Sequence, residues 1–110
     1  MYSNVYHLHP PTAVDVVGEL KKNDLVATEQ SHSHHHLLTA GLKSNGDAIS
    51  SRIPLFFNSD LVISKAHVTD SMDSLYRNGH ADEVLFIHTG SGQFKSNFGI
   101  MDLTPGDYVI

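Results

Sequence analysis

Short alternations of apolar and polar residues recur along the second half of the chain and predict β-strands. In residues 59–69 every second position from Leu61 to Lys65 falls on one face, because side chains alternate across a strand. Residues 93–99 alternate in the same way. Residues 83–88 form an almost continuous apolar run, which is typical of a strand buried on both faces.

Further strands and turns are predicted around these segments. The strands fall at residues 3–9, 34–42, 52–58 and 100–110. The turns fall at Asn45–Gly46, at residues 89–92 and at Pro105–Gly106. Residues 12–24 form either one or two helical turns or an irregular arm. Many short strands with glycine and proline turns favour an all-β sandwich or barrel.

Composition narrows the class of protein. The 110 residues suffice for one domain, and an apolar share of 40% is typical of a globular chain. The formal net charge is −5 with both signs mixed, so we expect no nucleic-acid partner and no membrane partner. The chain has no cysteine, which excludes disulfides and thiolate zinc sites. Neither a signal peptide nor an apolar span is visible, and we expect a cytoplasmic protein.

Residues 76–92, "YRNGHADEVLFIHTGSG", carry the candidate chemistry. They resemble the first motif of the cupins, in which H-x-H precedes a glutamate and a glycine follows that glutamate. Glu83 and Gly90 match the second half of the motif, and Gly106 matches the opening glycine of the second cupin motif. The resemblance implies a double-stranded β-helix, also called a jelly-roll barrel, in which two histidines and a glutamate bind one divalent metal ion.

The histidine positions of that motif carry other residues here. Counted back from Glu83, they fall on Tyr76 and Asn78, or on Arg77 and Gly79, while His80 lies too close to Glu83. We therefore expect no metal at this place. Glu83 or its neighbour Asp82 is expected to make structural hydrogen bonds at a strand entrance.

The other histidines leave alternatives open. His32, His34 and His36 would share a face on a strand, as would His7 and His9, but no glutamate follows either group at the cupin spacing. The run "HSHHH" is either a polar surface or subunit contact, or an adventitious nickel or zinc binder.

The remaining candidate functional residues are two single histidines and the possible nucleophiles. His67 and His88 are expected to be partly buried strand residues with hydrogen-bonded rings. No serine lies in a nucleophile elbow, and residues 90–92 lack the helix and lysine of a phosphate-binding loop.

A closer resemblance is to homogentisate 1,2-dioxygenase. It rests on "YHLHPPT" at residues 6–12, on residues 76–92, and on the following "FG" and "PGDYVI"; residues 51–79 also look like that family. The resemblance implies a long chain that uses non-haem Fe(II) and molecular oxygen to open homogentisate to maleylacetoacetate in tyrosine and phenylalanine breakdown. It also implies homo-oligomers built from trimers and iron ligands in the C-terminal part.

The resemblance covers the N-terminal part of that family. We therefore expect residues 1–110 to be a partial N-terminal cupin domain, incomplete at its C-terminus, with an arm and strand at 1–30 and barrel strands at 31–110. The partners implied are the remainder of the polypeptide or the other subunits. No catalytic, cofactor-binding or metal-ligating residue is expected in this chain, and the chain alone is expected to be inactive.

Two rival hypotheses belong to other classes. One is a stand-alone cupin enzyme that binds a metal through His80 and Glu83. The other is a non-catalytic cupin that binds a small ligand in a pocket lined by Phe86, Phe94 and Phe98.

Overall fold

The computed structural model describes residues 2, 4, 6–10, 12–20, 25–27 and 33–110. Within these residues the regular structure is β, apart from one short 3-10 turn. The elements are the 3-10 turn Thr39–Gly41 and the strands β1 (Arg52–Phe57), β2 (Val62–Ala66), β3 (Leu85–Phe86), β4 (Gly92–Ser96), β5 (Gly99–Leu103) and β6 (Tyr108–Val109). The predicted all-β class is confirmed.

The strands pair into two-stranded antiparallel sheets, with β1 against β2, β3 against β6 and β4 against β5. No closed barrel forms among the described residues. The jelly-roll arrangement therefore stays a prediction. The chain divides into two units, one of Met1–Val17 with Ser74–Ile110 and one of Gly18–Asp73.

The unit Gly18–Asp73 is built on the β1–β2 hairpin. Phe56 lies opposite Ile63, and the register shifts between Pro54 and Phe56. The hairpin turn closes because the Asn58 side-chain oxygen accepts hydrogen bonds from the backbone N–H groups of Asp60 and Leu61, at 2.8 and 2.7 Å.

A tight loop precedes β1 in the same unit. The Gly46 carbonyl accepts hydrogen bonds from the backbone N–H groups of Thr69 at 2.9 Å and Asp70 at 3.1 Å. Gly46 has a φ of 128°, and a Cβ there would lie 2.4 Å from the Ser50 hydroxyl oxygen, so this position requires glycine. The predicted turn at Asn45–Gly46 is thus confirmed.

The unit formed by Met1–Val17 and Ser74–Ile110 contains the other two sheets. The β4–β5 hairpin pairs Ser96 with Gly99 across a two-residue turn. The β3–β6 pair is extended by two backbone hydrogen bonds of Ile87, which donates to the Asp107 carbonyl at 2.9 Å and accepts from the Gly106 N–H at 2.8 Å. The predicted turn at Pro105–Gly106 lies directly before β6, and its Gly106 N–H supplies one of these two hydrogen bonds.

Several strand predictions are wrong in the described residues. Residues 34–42 contain the 3-10 turn instead of a strand, and residues 6–10 contain no strand. The segment 12–24, expected to be either helical turns or an irregular arm, is irregular over residues 12–20, and residues 21–24 lie outside the described residues. Local alternation of side chains was the signal in these runs, but no neighbouring strand pairs with them here.

Burial departs most from the expectations. No apolar side chain among the described residues is buried. Val84 and Phe86, expected in a strand covered on both faces, are 62% and 50% exposed, since only Leu85 and Phe86 pair with a neighbouring strand. None of the described helical segments has the length and apolarity needed to cross a membrane.

Candidate functional site

The candidate site is centred on Glu83, a half-buried carboxylate two residues before β3. Its Oε1 atom accepts a hydrogen bond from the Tyr76 hydroxyl at 3.0 Å and another from the Asn78 side-chain nitrogen at 2.8 Å. We call Tyr76, Asn78 and Glu83 the Glu83 cluster. Hydrogen bonds to an ionised carboxylate are stronger than those between neutral groups, so the cluster fastens residues 76–83 into a loop.

Asn78 makes hydrogen bonds in this loop through both the nitrogen and the oxygen of its side-chain amide. Its Oδ1 atom accepts hydrogen bonds from the backbone N–H groups of His80 at 2.8 Å and Ala81 at 3.2 Å. Asparagine followed by glycine favours such a turn, because the short amide side chain reaches the backbone two and three residues ahead. The amide oxygen thus orders the turn and leaves the amide nitrogen for Glu83.

The Glu83 cluster does not fit an iron site of two histidines and a carboxylate. Counted back from Glu83, the histidine positions of the cupin motif fall either on Tyr76 and Asn78, which both donate hydrogen bonds to the carboxylate, or on Arg77 and Gly79. A metal needs lone pairs from neutral imidazole instead. Among the described residues no three histidine, cysteine, aspartate or glutamate side chains are grouped to hold a metal ion. The expectation that Glu83 makes structural hydrogen bonds is confirmed.

The other histidines of the described residues have different surroundings. His80 contributes its backbone N–H to the Asn78 turn, and its side chain is exposed. His34, His35 and His36 are exposed, and a ring nitrogen of His35 lies 3.2 Å from the Ser33 hydroxyl. Since residues 33–38 are not a strand, the predicted common face for His34 and His36 is wrong; His32 lies outside the described residues.

His67 and His88 were predicted to be partly buried strand residues, but His67 follows β2, His88 lies two residues after β3, and both are exposed. The His67 Nδ1 atom lies 3.2 Å from the Ser44 carbonyl oxygen, which confirms the expected ring hydrogen bond. The His88 ring centroid lies 6.3 Å from that of Phe86. The predicted burial of these two histidines is wrong, because no other element covers the ends of their strands.

The three phenylalanines proposed for a ligand pocket do not converge on one. Phe86 packs against Tyr108 across the β3–β6 pair, with ring centroids 4.7 Å apart. Phe94 is half-buried in β4, and Phe98 is 87% exposed at the tip of the β4–β5 hairpin. A cavity of about 150 Å³ lies instead on the β1–β2 hairpin, open to solvent and lined by Phe56, Phe57, Asn58, Leu61 and Ile63.

Comparison with known proteins gives one informative similarity. The chain is 39% identical over 111 residues to a protein of Saccharolobus solfataricus named putative dioxygenase. The match covers 99% of this chain but 29% of that relative, so the chain spans less than a third of the relative's length. No protein-family model matches the chain, and no solved structure matches it. The chain is thus similar, over nearly its whole length, to part of a protein named as a dioxygenase.

The sequence identified the positions of Tyr76 and Asn78 but not their role. Both positions have the spacing of the motif's histidines from Glu83, and the lack of histidine there predicts the loss of a metal site but not a hydrogen bond to Glu83. The signal for the hydrogen bonds was present in "NGH", where Asn78 precedes a glycine and favours a turn that folds the segment back on itself.

Proposed function

We propose that this chain is the N-terminal structural segment of a longer Fe(II)- and O2-dependent ring-cleaving dioxygenase similar to homogentisate 1,2-dioxygenase. The observation that carries the proposal is the 39% identity to a protein named putative dioxygenase, which extends over 99% of the chain. Because the aligned part is 29% of that relative, the chemistry is assigned to the remainder of the longer polypeptide.

The Glu83 cluster supports a structural role for this segment. One oxygen of its carboxylate already receives two hydrogen bonds, from Tyr76 and Asn78. A carboxylate held in this way fixes the entrance to β3. Iron ligands, two histidines and a glutamate, are therefore proposed outside these residues.

The substrate proposal rests on the two sequence strings at residues 6–12 and 76–92 that resemble homogentisate 1,2-dioxygenase. We propose homogentisate as the substrate and maleylacetoacetate as the product, in tyrosine and phenylalanine breakdown. The proposed partners are the remainder of the polypeptide and a homo-oligomer built from trimers, and the proposed location is the cytoplasm.

The test begins with the coding sequence after the Ile110 codon. If the frame continues, the longer polypeptide is expressed, its iron content is measured, and oxygen uptake is followed with homogentisate. We expect about one iron per polypeptide and oxygen uptake that depends on homogentisate, while residues 1–110 alone show neither.

A matched variant separates the structural role from a ligand role. Glu83→Gln in the longer polypeptide is expected to keep the iron content of the folded protein, because Glu83 is not proposed as a ligand. Loss of iron from a folded Glu83→Gln protein would contradict the structural role. Iron binding without homogentisate-dependent oxygen uptake would rule out the substrate, and a stop codon after Ile110 would end the proposal.

A further inference from the structure

One face of the β1–β2 hairpin is apolar and open. Phe56 and Ile63 are opposite each other in the register, and Leu61 shares their side because it lies two residues before Ile63. These side chains are 45%, 49% and 58% exposed, and they line the cavity of about 150 Å³ together with Phe57 and Asn58. None of the described residues that line this cavity is charged. We call Phe56, Leu61 and Ile63 the hairpin face.

The same side of the hairpin is covered at its other end. Lys65 lies two residues beyond Ile63, and its ammonium group donates a hydrogen bond to the Thr39 carbonyl in the 3-10 turn. Lys65 and its cross-strand neighbour Ile53 are half-buried. This side is thus covered near Lys65 and open at the hairpin face.

We infer that the hairpin face is the surface against which an apolar segment from the remainder of the longer polypeptide packs. The inference rests on the proposed function and identifies where the partner segment docks. The occupant is apolar because the described residues that line the cavity are Phe56, Phe57, Asn58, Leu61 and Ile63, none of them charged. The relative named putative dioxygenase supplies the reason for an intramolecular partner, since more than two thirds of its length lies outside the matched stretch.

Cysteine labelling tests this inference directly, because the chain contains no native cysteine. Ile63→Cys reports on the hairpin face. Val62→Cys is its matched control, since Val62 is the adjacent residue of β2, is 50% exposed against 49% for Ile63, and is not among the residues that line the cavity. The labelling rate with a maleimide is measured for both variants, in residues 1–110 and in the longer polypeptide; if that polypeptide has native cysteines, they are replaced first.

We expect the longer polypeptide to slow the labelling of Ile63→Cys by about tenfold or more relative to residues 1–110, because a packed thiol reacts only after local opening. Labelling of Val62→Cys should change much less. Equal labelling of Ile63→Cys in both proteins would overturn the inference, as would equal protection of both cysteines. Protection in residues 1–110 that rises with protein concentration would also overturn it, because a second copy would then be the occupant.

The outcome is separable from the proposed function. Protection of Ile63→Cys in a longer polypeptide that does not oxidise homogentisate would retain the inference and reject the substrate. Homogentisate-dependent oxygen uptake with a freely labelled Ile63→Cys would retain the function and reject the docking surface. If no longer polypeptide is encoded, the proposed function and the docking surface are both rejected.

Discussion

At the scale of single residues, one carboxylate oxygen organises the candidate site. Tyr76 and Asn78 both donate to Oε1 of Glu83, and Asn78 also receives two backbone N–H groups through its own oxygen. Asn78 is therefore linked to more of the loop than Tyr76. The two donors of the Glu83 cluster should differ in importance for this reason.

Asn78→Ala should loosen the loop more than Tyr76→Phe. The alanine removes the hydrogen bond to Glu83 and the two bonds from His80 and Ala81, whereas the phenylalanine removes the hydroxyl bond to Glu83 and leaves both backbone bonds to Asn78 in place. At about 1 kcal/mol per bond, the His80 amide should exchange its hydrogen roughly tenfold faster or more in Asn78→Ala. Amide exchange followed by NMR measures this, and an equal effect of both variants would contradict the described hydrogen bonds.

Ser51 is the second residue whose substitution has a predicted effect on stability. It is 1% exposed, and its hydroxyl oxygen has no hydrogen-bond partner among the described residues. A buried hydroxyl without a partner costs about 1–3 kcal/mol, so Ser51→Ala should stabilise the loop before β1. We expect slower exchange of the Ser51 position's amide, which donates to the Asp47 carbonyl at 3.1 Å. Faster exchange would mean that the hydroxyl has a partner, such as a buried water molecule.

At the scale of elements, side-chain oxygens of asparagine and aspartate close the turns. Asp47, Asn58 and Asn78 each accept two backbone N–H groups from the residues two and three positions ahead. One oxygen of Asp107 accepts the backbone N–H and the hydroxyl of Thr104. The turns are thus defined by local hydrogen bonds, which explains why they form without a buried apolar core.

The turn at Asp47 should depend on pH. The backbone N–H of Ser50, followed by that of Ile49 and the Ser50 hydroxyl, lowers the pKa of the Asp47 carboxyl below its ordinary value of 3.8. A lowered pKa means that the stabilisation is fully present above that ordinary value and is lost as pH falls through the folded pKa.

Amide exchange of Ile49 and Ser50 across the acid range, compared with the known pH dependence of intrinsic exchange, measures this effect. Asp47→Asn keeps an acceptor oxygen but cannot titrate, so the turn should then show no such dependence. A pH dependence that persists in Asp47→Asn would assign it to another group.

Gly106 should be required for the β3–β6 pair. Its φ of 98° lies in a region that costs other residues about 1–3 kcal/mol, and its N–H donates to the Ile87 carbonyl. Gly106→Ala should therefore speed exchange of the Ile87 amide by tenfold or more. Gly92→Ala is the matched control, because Gly92 has no positive φ and open space around its Cα. An equal effect at both glycines would contradict a conformational cause.

At the scale of the whole molecule, the absence of a buried apolar side chain among the described residues limits stability. Burial of apolar surface is the main favourable term in folding, at about 25 cal/mol per Å². The hydrogen-bonded turns and short strand pairs each contribute little beside it. Secondary structure is thus present here without the packing that makes folding cooperative.

Residues 1–110 in isolation should therefore melt broadly and bind a dye for apolar surface. Differential scanning calorimetry and dye fluorescence measure these two properties. The longer polypeptide, if it is encoded, should melt sharply and bind less dye, because its additional residues would cover the apolar faces. A sharp cooperative transition of residues 1–110 as a monomer would contradict this expectation.

The sequence by itself determined the local features of this protein. The strands predicted at residues 52–58 and 59–69 are present as Arg52–Phe57 and Val62–Ala66. The strand predicted at residues 93–99 ends earlier, because residues 97–98 form the turn between β4 and β5. The turns at Gly46, Gly90 and Gly106 follow from glycine's access to positive φ, which all three residues adopt. The structural role of Glu83 followed from spacing, since no histidine stands at the motif's ligand positions.

Only the tertiary structure decided which residues meet and which are covered. Local residue patterns alone suggested strands at residues 3–9 and 34–42, but a strand also needs a neighbour to pair with, and no strand pairs with the described residues of these two segments. The same limit explains Val84 and Phe86, whose apolar character predicted burial that no packed element provides. The hydrogen bonds of Tyr76 and Asn78 to one oxygen of Glu83 likewise depend on how the loop folds back, which residue spacing does not specify.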